Sequence, residues 1–515
     1  METSAPSAGR LSLAASPTAV VLTVIIVSFA ARLLLAAVMG FSFDESYDVV
    51  MSRQPQLGYF DHPPLTMWLI AAVTGVTGGE GPLIVRLPIL VMFAGTTWLI
   101  YRIGARLFHP WAGAAGAIAL NLAPLFGAYF GTIAVTDGAM LLGLAFGTLC
   151  LADALFAGDG RVRWGAWIAA GIGIGIALLS KYTAVLVLPG VLLYLLTQPR
   201  QRHWLWHPAP YLALAVALFV LSPPIVWNAL HDWESFRFQG ERAWPDGSVH
   251  PVRTIAYLGV MALLLLPGIW FGLVASVVDG FRRGPGDERR WFLSWLAVGP
   301  MLFFPLVWLF ASDGTAGYHW VAPGYLLAFP LLGAMVADLS ARSPRWKRTI
   351  RQSAILSVAL VVLVYAGFVG HLATGWMRAL VPGWQAYDPV ASDQVDWWDL
   401  RSLLAERGML DPERYFLIGD RWEDCAKIGV VLGGRLPIVC LTTNPIHTAF
   451  SRDPAVLLGR DGLYITRRPL AGRRRIEANF ATIEPPVPFV LTQFGFPLVR
   501  VDVVVGRNLR IPIDH

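Results

Sequence analysis

Two adjacent acids, Asp44 and Glu45, stand in the segment GFSFDESYDVVMSRQPQLGYFDHPPLTMW, just past an apolar run. A carboxylate held beside an acceptor hydroxyl or amine can take its proton as a general base. A solvated pair of loop acids is the plainer alternative. Further along, Tyr59-Phe60-Asp61-His62 runs into Pro63-Pro64. The prolines fix φ and stop helix pairing, so the loop can present Asp61 and His62 rigidly. His62 suits a metal or an anion, or a structural hydrogen bond. Asp137, in GTIAVTDGAM, is either a second functional acid or the cap of the helix that follows. Lys181 interrupts two apolar stretches in LLSKYTAVLVLP. An ammonium there is expensive unless an anion pairs with it. Phosphate is a natural partner for lysine, and snorkelling to the interface is the alternative.

Two later segments carry mixed charge and aromatics. WNALHDWESFRFQGERAW holds Arg237 and Arg242, and ASDGTAGYHWVAPGY holds Asp313 and His319. Aromatic faces stack on sugar rings while charged groups hold hydroxyls or phosphates, although Trp and Tyr also form interfacial belts in any membrane protein. These clusters fall on one side of the predicted membrane map, and that convergence outweighs any single motif.

The elements that must position them are membrane helices. The 515 residues are 56% hydrophobic and only 14% charged, against about 25% charged in soluble domains. Disorder, a collagen-like chain and a nucleic-acid arm are excluded. A spanning helix needs about 20 apolar residues. Runs meet that test at 17–40, 82–108, 111–130, 138–157, 164–180, 182–198, 209–227, 254–279, 291–311, 319–340 and 352–373, predicting about eleven transmembrane helices. A shorter apolar stretch, Leu65–Val76, is expected along the membrane surface.

Alternate loops differ in charge. One set holds Arg102, Arg106, Arg161, Arg163, Arg200, Arg202, Arg282, Arg283, Arg289, Arg290, Arg342 and Arg345; the other collects most of the loop acids. Cytoplasmic loops gather Lys and Arg, so the N-terminus is expected in the cytoplasm. The net charge of +6 therefore describes orientation, not an anionic partner such as nucleic acid. An odd number of helices leaves the C-terminal part on the far side. The composition changes after about Gly375, so we read 1–375 as the membrane domain and 376–515 as a small α/β periplasmic domain. Cys425 and Cys440 share that oxidising side and could pair, buried free thiols being the plainer reading; Cys150 falls in a span.

The DE pair, FDHPPL, the TxD at Asp137, SKYT at Lys181, HDWESFRFQ and DRWEDCAKIG together resemble family-39-type glycosyltransferases, the superfamily of protein O-mannosyltransferases and lipid A aminoarabinose transferases. The resemblance spans most of the chain. It implies a GT-C type, multi-pass, inner-membrane, inverting enzyme of cell-envelope or lipopolysaccharide glycosylation. Its donor would be a sugar on a polyprenyl phosphate, and its acceptor lipid A, another glycan or a protein. Carried across, Asp44 resembles the family's first-loop catalytic acid, with Glu45 supporting it, and Lys181 the lysine on the donor phosphate. Tyr59, Asp61, His62, Asp137, Arg237, Arg242 and His319 become substrate-binding candidates. The chain departs from the aminoarabinose transferases in two places. An arginine that closely follows their DE is replaced by Ser46 or Tyr47, and the lysine before their prolines by His62. No cofactor is demanded; Asp61, His62 and His319 are candidate ligands for a divalent metal ion, with no spacing that requires one. A transporter or flippase of lipid-linked sugars is the competing class. It would carry inverted repeats and charges at the bilayer midplane, and the sequence has no such repeat.

Overall fold

Hydrocarbon offers no hydrogen bonds, so the apolar runs must satisfy their own backbone as helices. In the computed structural model, residues 16–158, 160–242, 247–310, 317–384, 388–442, 452–467, 474 and 476–513 are described. The membrane part contains α1 (Pro17–Val38), α2 (Phe43–Ser52), α3 (Leu65–Thr77), α4 (Pro82–Leu107), α5 (Pro110–Leu122), α6 (Asp137–Leu155), α7 (Trp164–Ser180), α8 (Leu188–Thr197), α9 (Pro208–Val220), α10 (Ser222–Leu230), α11 (Glu234–Glu241), α12 (Pro251–Leu264), α13 (Pro267–Arg283), α14 (Glu288–Phe310), α15 (Ala322–Arg342) and α16 (Pro344–Thr374). Many open on proline at the first turn, where the missing N–H would have had no partner.

Six helices among the described residues are long and apolar enough to cross a membrane: α1, α4, α6, α14, Tyr318–Arg342 and α16. Three bent pairs, 182–206, 208–230 and 251–286, turn by 114°, 55° and 110°, giving nine spans if each pair crosses once. The eleven uniform helices expected from hydropathy are therefore not reproduced. The run 111–130 resolves into the 13-residue α5 and a π-turn at Leu125–Phe130, and 164–180 is a 17-residue helix. Hydropathy sees apolar length; prolines such as Pro124, Pro199 and Pro267 decide where that length bends.

Lipid tails do not drive helices together as water does, so close packing depends on small residues. Gly143 and Gly147 of α6 form such a seam against α7: a Cβ on Gly143 would come within 2.7 Å of the Gly173 carbonyl oxygen. Arg32, the one charge in the first apolar run, is buried. Its guanidinium donates to the Gly127 carbonyl and to Asn121 Oδ1, both at 2.6 Å, which fixes the π-turn.

Beyond α16 lie α17 (Pro389–Gln394), α18 (Trp398–Glu406), α19 (Trp422–Val431) and strands β1 (Tyr415–Gly419), β2 (Ile438–Cys440), β3 (Asp461–Thr466), β4 (Phe480–Ile483), β5 (Val487–Gln493) and β6 (Phe496–Leu509). The sheet order is β2-β1-β3-β6-β4, with β5 also on β6. β1 is parallel to β2 and β3 (Leu417 opposite Ile438 and Leu463), and β6 is antiparallel to β3 (Leu463 opposite Val505). β5 and β6 form a hairpin whose two turn residues, Phe494 and Gly495, both have positive φ, as a tight hairpin matching strand twist requires. α19 connects β1 to β2, packs back on them, and brings Cys425 to Cys440 as a disulfide with Cα atoms 6.2 Å apart. The expectation of free thiols is overturned. A sequence separation of 15 hid a contact that the crossover creates.

Candidate active site

The site is built around α2. Ser42 accepts from the Glu45 backbone N–H at 3.1 Å, and Glu45 accepts from the Ser42 N–H at 2.9 Å, a reciprocal cap that starts the helix. Both Glu45 oxygens then receive the Arg86 guanidinium of α4, at 2.7 and 2.6 Å, and Oε1 also accepts from the Ala134 N–H at 2.8 Å. Both side chains are fully buried. Burial alone would raise the Glu45 pKa, but the Arg86 charge and these hydrogen bonds outweigh it and hold the carboxylate below its usual range. Glu45 thus fastens α2 to the helical bundle and does not line the cavity. The sequence places Glu45 beside Asp44 in the catalytic group; its oxygens are instead taken up by Arg86, Ala134 and Ser42.

Asp44, Tyr47 and Asp48 are spaced i, i+3, i+4, which places them on one face of α2. That face borders a cavity of about 160 Å³ together with Asp61, His62, Tyr129, Asp137, Lys181, Arg242, His319, Trp320 and Trp422. Asp44 is accessible from the cavity and accepts from the Tyr129 hydroxyl at 3.2 Å. Desolvation by the surrounding protein, with Asp393 adding like charge, raises its pKa to about 6 against the pull of His62, Tyr129 and Lys181. Asp48 is buried, and desolvation followed by the Asp44 and Asp61 charges lifts it well above the usual carboxylate range.

Across the cavity α7 ends at Lys181, whose extended backbone interrupts the helix and turns the side chain inward. Its Nζ donates to Asp137 Oδ2 at 2.5 Å, and Asp137 Oδ1 is buried without a hydrogen-bond partner among the described residues. His319 Nε2 is 4.0 Å from Asp137 Oδ2, and its ring lies 5.6 Å from that of Tyr129. Arg242 lies over the Trp320 ring at 4.5 Å and the Phe238 ring at 5.0 Å. On the third side Tyr47 donates to Asp61 Oδ1 at 2.6 Å, and His62 Nδ1 contacts the Asp61 carbonyl oxygen at 2.6 Å.

Of the residues singled out by sequence, the cavity brings together Asp44, Asp61, His62, Asp137, Lys181, Arg242 and His319. It leaves out Glu45, Tyr59 and Arg237. The Tyr59 hydroxyl donates to the Met51 and Gln54 carbonyls, each at 3.3 Å, closing its own loop, and Arg237 is spent on the Asp232 carbonyl. Asp313 lies outside the described residues. Among the described residues no group of three or more His, Cys, Asp or Glu side chains is arranged to hold a metal ion. Asp61, His62 and His319 do not converge as ligands, because Asp61 faces Tyr47 while His319 faces Asp137 and Tyr129. Tyr47 and Asp48 were legible from their spacing to Asp44 once α2 was seen to be a helix. Tyr129 carried no local signal, and Trp422 was marked only as part of DRWEDCAKIG.

Trp422 comes from α19, which packs on α2 and contributes its ring edge-on to Tyr47 at 6.1 Å. Buried Lys427 of α19 donates to the carbonyls of Phe41, Asp393 (2.5 Å) and Val395 (3.1 Å). Asp393 Oδ1 accepts from the Phe43 N–H at 2.7 Å, so the start of α2 is held from the C-terminal part of the chain.

Fold and site together define a class: a multi-pass helical membrane protein with the fold of ArnT from Cupriavidus metallidurans. The resemblance read from the sequence holds. Residues 61–227 match the family model for dolichyl-phosphate-mannose-protein mannosyltransferase. The chain is 29% identical over 273 residues to the lipid A galacturonosyltransferase RgtD of Rhizobium johnstonii, covering 52% of this chain and 55% of that protein. It is 32% identical over 275 residues to the undecaprenyl phosphate-alpha-4-amino-4-deoxy-L-arabinose arabinosyl transferase of Pseudomonas aeruginosa, covering 48% and 46%. It thus spans about half the length of the curated relatives it matches. Among solved structures it superposes on ArnT from Cupriavidus metallidurans bound to undecaprenyl phosphate with a TM-score of 0.65 at 16% identity, over 95% of this chain and 97% of that one.

Proposed function

We propose that this protein is an inverting glycosyltransferase that moves a sugar from a polyprenyl-phosphate donor to a lipid, glycan or protein acceptor on the periplasmic face of the inner membrane. The observation that carries this reading is the cavity, where an accessible carboxylate of raised pKa, Asp44, faces a lysine, Lys181. The relatives' lipid A and undecaprenyl-phosphate substrates support it and make lipid A the first acceptor to assay.

The reaction is a single displacement. The donor enters laterally between helices, and Lys181 turns from Asp137 to the donor phosphate, with Arg242, His62 and His319 adding donors around it. The acceptor hydroxyl gives its proton to Asp44 as its oxygen attacks the anomeric carbon. The bond from that carbon to the phosphate oxygen breaks, and polyprenyl phosphate leaves. Negative charge grows on the phosphate as it departs, so a fixed cation stabilises the transition state more than the ground state. One carboxylate acting as base, with no second one as nucleophile, gives inversion.

The membrane part, 1–375, would hold this chemistry and 376–515 would form the periplasmic domain. With each bent pair crossing once, the described helices give nine spans, an odd number that would carry the chain from a cytoplasmic N-terminus to a periplasmic C-terminal domain.

Purified protein given a polyprenyl-phosphate sugar and lipid A tests the reading. Asp44→Asn should abolish transfer, and Lys181→Ala should lower kcat as well as raise the KM for donor. Undiminished transfer by Asp44→Asn would overturn the role of Asp44. Movement of lipid-linked sugar across vesicles without transfer would favour a flippase.

A further inference from the structure

The outward loops of the membrane part are acid-rich, and orientation gives no reason for cations to gather on that side. A cleft of about 470 Å³ between the far end of α2 and the C-terminal sheet departs from that pattern: Arg53, Arg435, Arg452 and Arg460 line it, with Glu413 as its acid. Two of these arginines are fixed by the protein. Arg53 is held by Glu80 at 2.8 and 2.9 Å and by the Gly429 carbonyl at 2.7 Å. Arg460 donates to the Pro412 carbonyl at 2.5 Å. Glu413 is turned to solvent, its side chain 85% exposed, and lies 3.8 Å from Arg460. Arg435 and Arg452, both exposed, have no side-chain hydrogen bond or ion pair among the described residues. Four guanidinium groups around one cleft repel one another unless an anion joins them, and the guanidinium fork matches phosphate and carboxylate oxygens bidentately.

We propose that this cleft binds an anionic group, phosphate or carboxylate, of the acceptor glycolipid, with Arg435 and Arg452 as its principal ligands. The proposal rests on the transferase reading and assigns the cleft to one of its two substrates. Arg53 follows Asp44 by nine residues of helix, about 14 Å at 1.5 Å per residue. The donor's phosphate is bonded to the reacting carbon, so it must lie beside Asp44 and Lys181. An anion about 14 Å further along α2 belongs to the other substrate. Binding there would anchor the acceptor remotely, on the helix that carries the base.

The test is a binding measurement made without donor. Full-length protein in nanodiscs of neutral phosphatidylcholine is titrated with lipid A and, separately, with enzymatically dephosphorylated lipid A. The double variant Arg435→Ala/Arg452→Ala should bind lipid A at least tenfold more weakly, about 1.4 kcal/mol or more. Arg435→Lys/Arg452→Lys should recover part of that loss, and both proteins should bind dephosphorylated lipid A alike. In transfer assays the acceptor KM should rise by the same factor with donor KM unchanged. Equal lipid A binding by wild type and double variant would overturn the proposal. So would an equal loss of binding to phosphatidylglycerol vesicles with no preference for lipid A, which would assign the arginines to bulk anionic lipid. Charge-dependent lipid A binding by a protein that transfers no sugar would leave this site standing and sink the transferase reading.

Discussion

Asp44 opens on the cavity while Glu45, one residue on, is locked to Arg86, because one step along a helix turns the side chain by about 100°. The same two-letter motif thus supplies one acid that borders the cavity and one that is locked inside the protein. Sequence placed both in the site, but only the position of Arg86, buried inside a hydrophobic run, separates their roles. The pKa of about 6 gives Asp44 a pH signature. As a base it must be ionised, so transfer should fall as pH drops through about 6, a higher limb than an ordinary carboxylate would give. Rate against pH at saturating donor checks this, and a limb near 4 would show that Asp44 is not the titrating base. For Glu45 the expected loss is in stability. Arg86→Met strands a buried carboxylate and should cost about 3–5 kcal/mol, whereas Arg86→Met combined with Glu45→Gln should cost clearly less. Thermal melting in detergent measures both.

Among the elements, α2 governs the site, and it is only 10 residues long. Its signals were local: Ser42 before an acid pair, Glu45 at the third position, and acids in the first turn. Its support is not local. α19, stapled by Cys425–Cys440, holds Trp422 against Tyr47 and Lys427 beneath Phe41. Closing a 15-residue loop with a disulfide contributes about 3 kcal/mol. Cys425→Ser/Cys440→Ser should therefore lower the melting temperature and also reduce transfer, since α19 walls the cavity. A melting temperature unchanged from wild type would show that the bridge adds nothing to the fold. Hydropathy found the apolar runs well because their length is set by the bilayer. It missed the bends because a proline or an unwound turn changes direction without changing composition.

At the level of the whole molecule, the charge asymmetry makes a further prediction. The proposed orientation puts Val456, exposed on the C-terminal domain, in the periplasm, and Arg342, at the end of α15, in the cytoplasm. In a Cys150→Ala background, Val456→Cys should react with a membrane-impermeant maleimide on spheroplasts and Arg342→Cys only after lysis. The reverse pattern would invert the topology. The membrane helices and the strands of the C-terminal sheet were legible because each has its own period and composition. The union of the two parts at α2 was not, since its contacts join residues hundreds of positions apart.

That separation has a consequence in time. Phe43 and Phe41 are made 350 and 386 residues before their partners Asp393 and Lys427. Until those later residues are in place, α2 is fastened to the membrane bundle by Glu45 and Arg86 but lacks the hold of Asp393 and Lys427 on its start. The proposed activity is therefore expected only once residues 388–442 have closed over α2. A protein ended after Gly375 should insert and transfer no sugar, so unfinished copies consume none of the lipid-linked donor that the finished ones need.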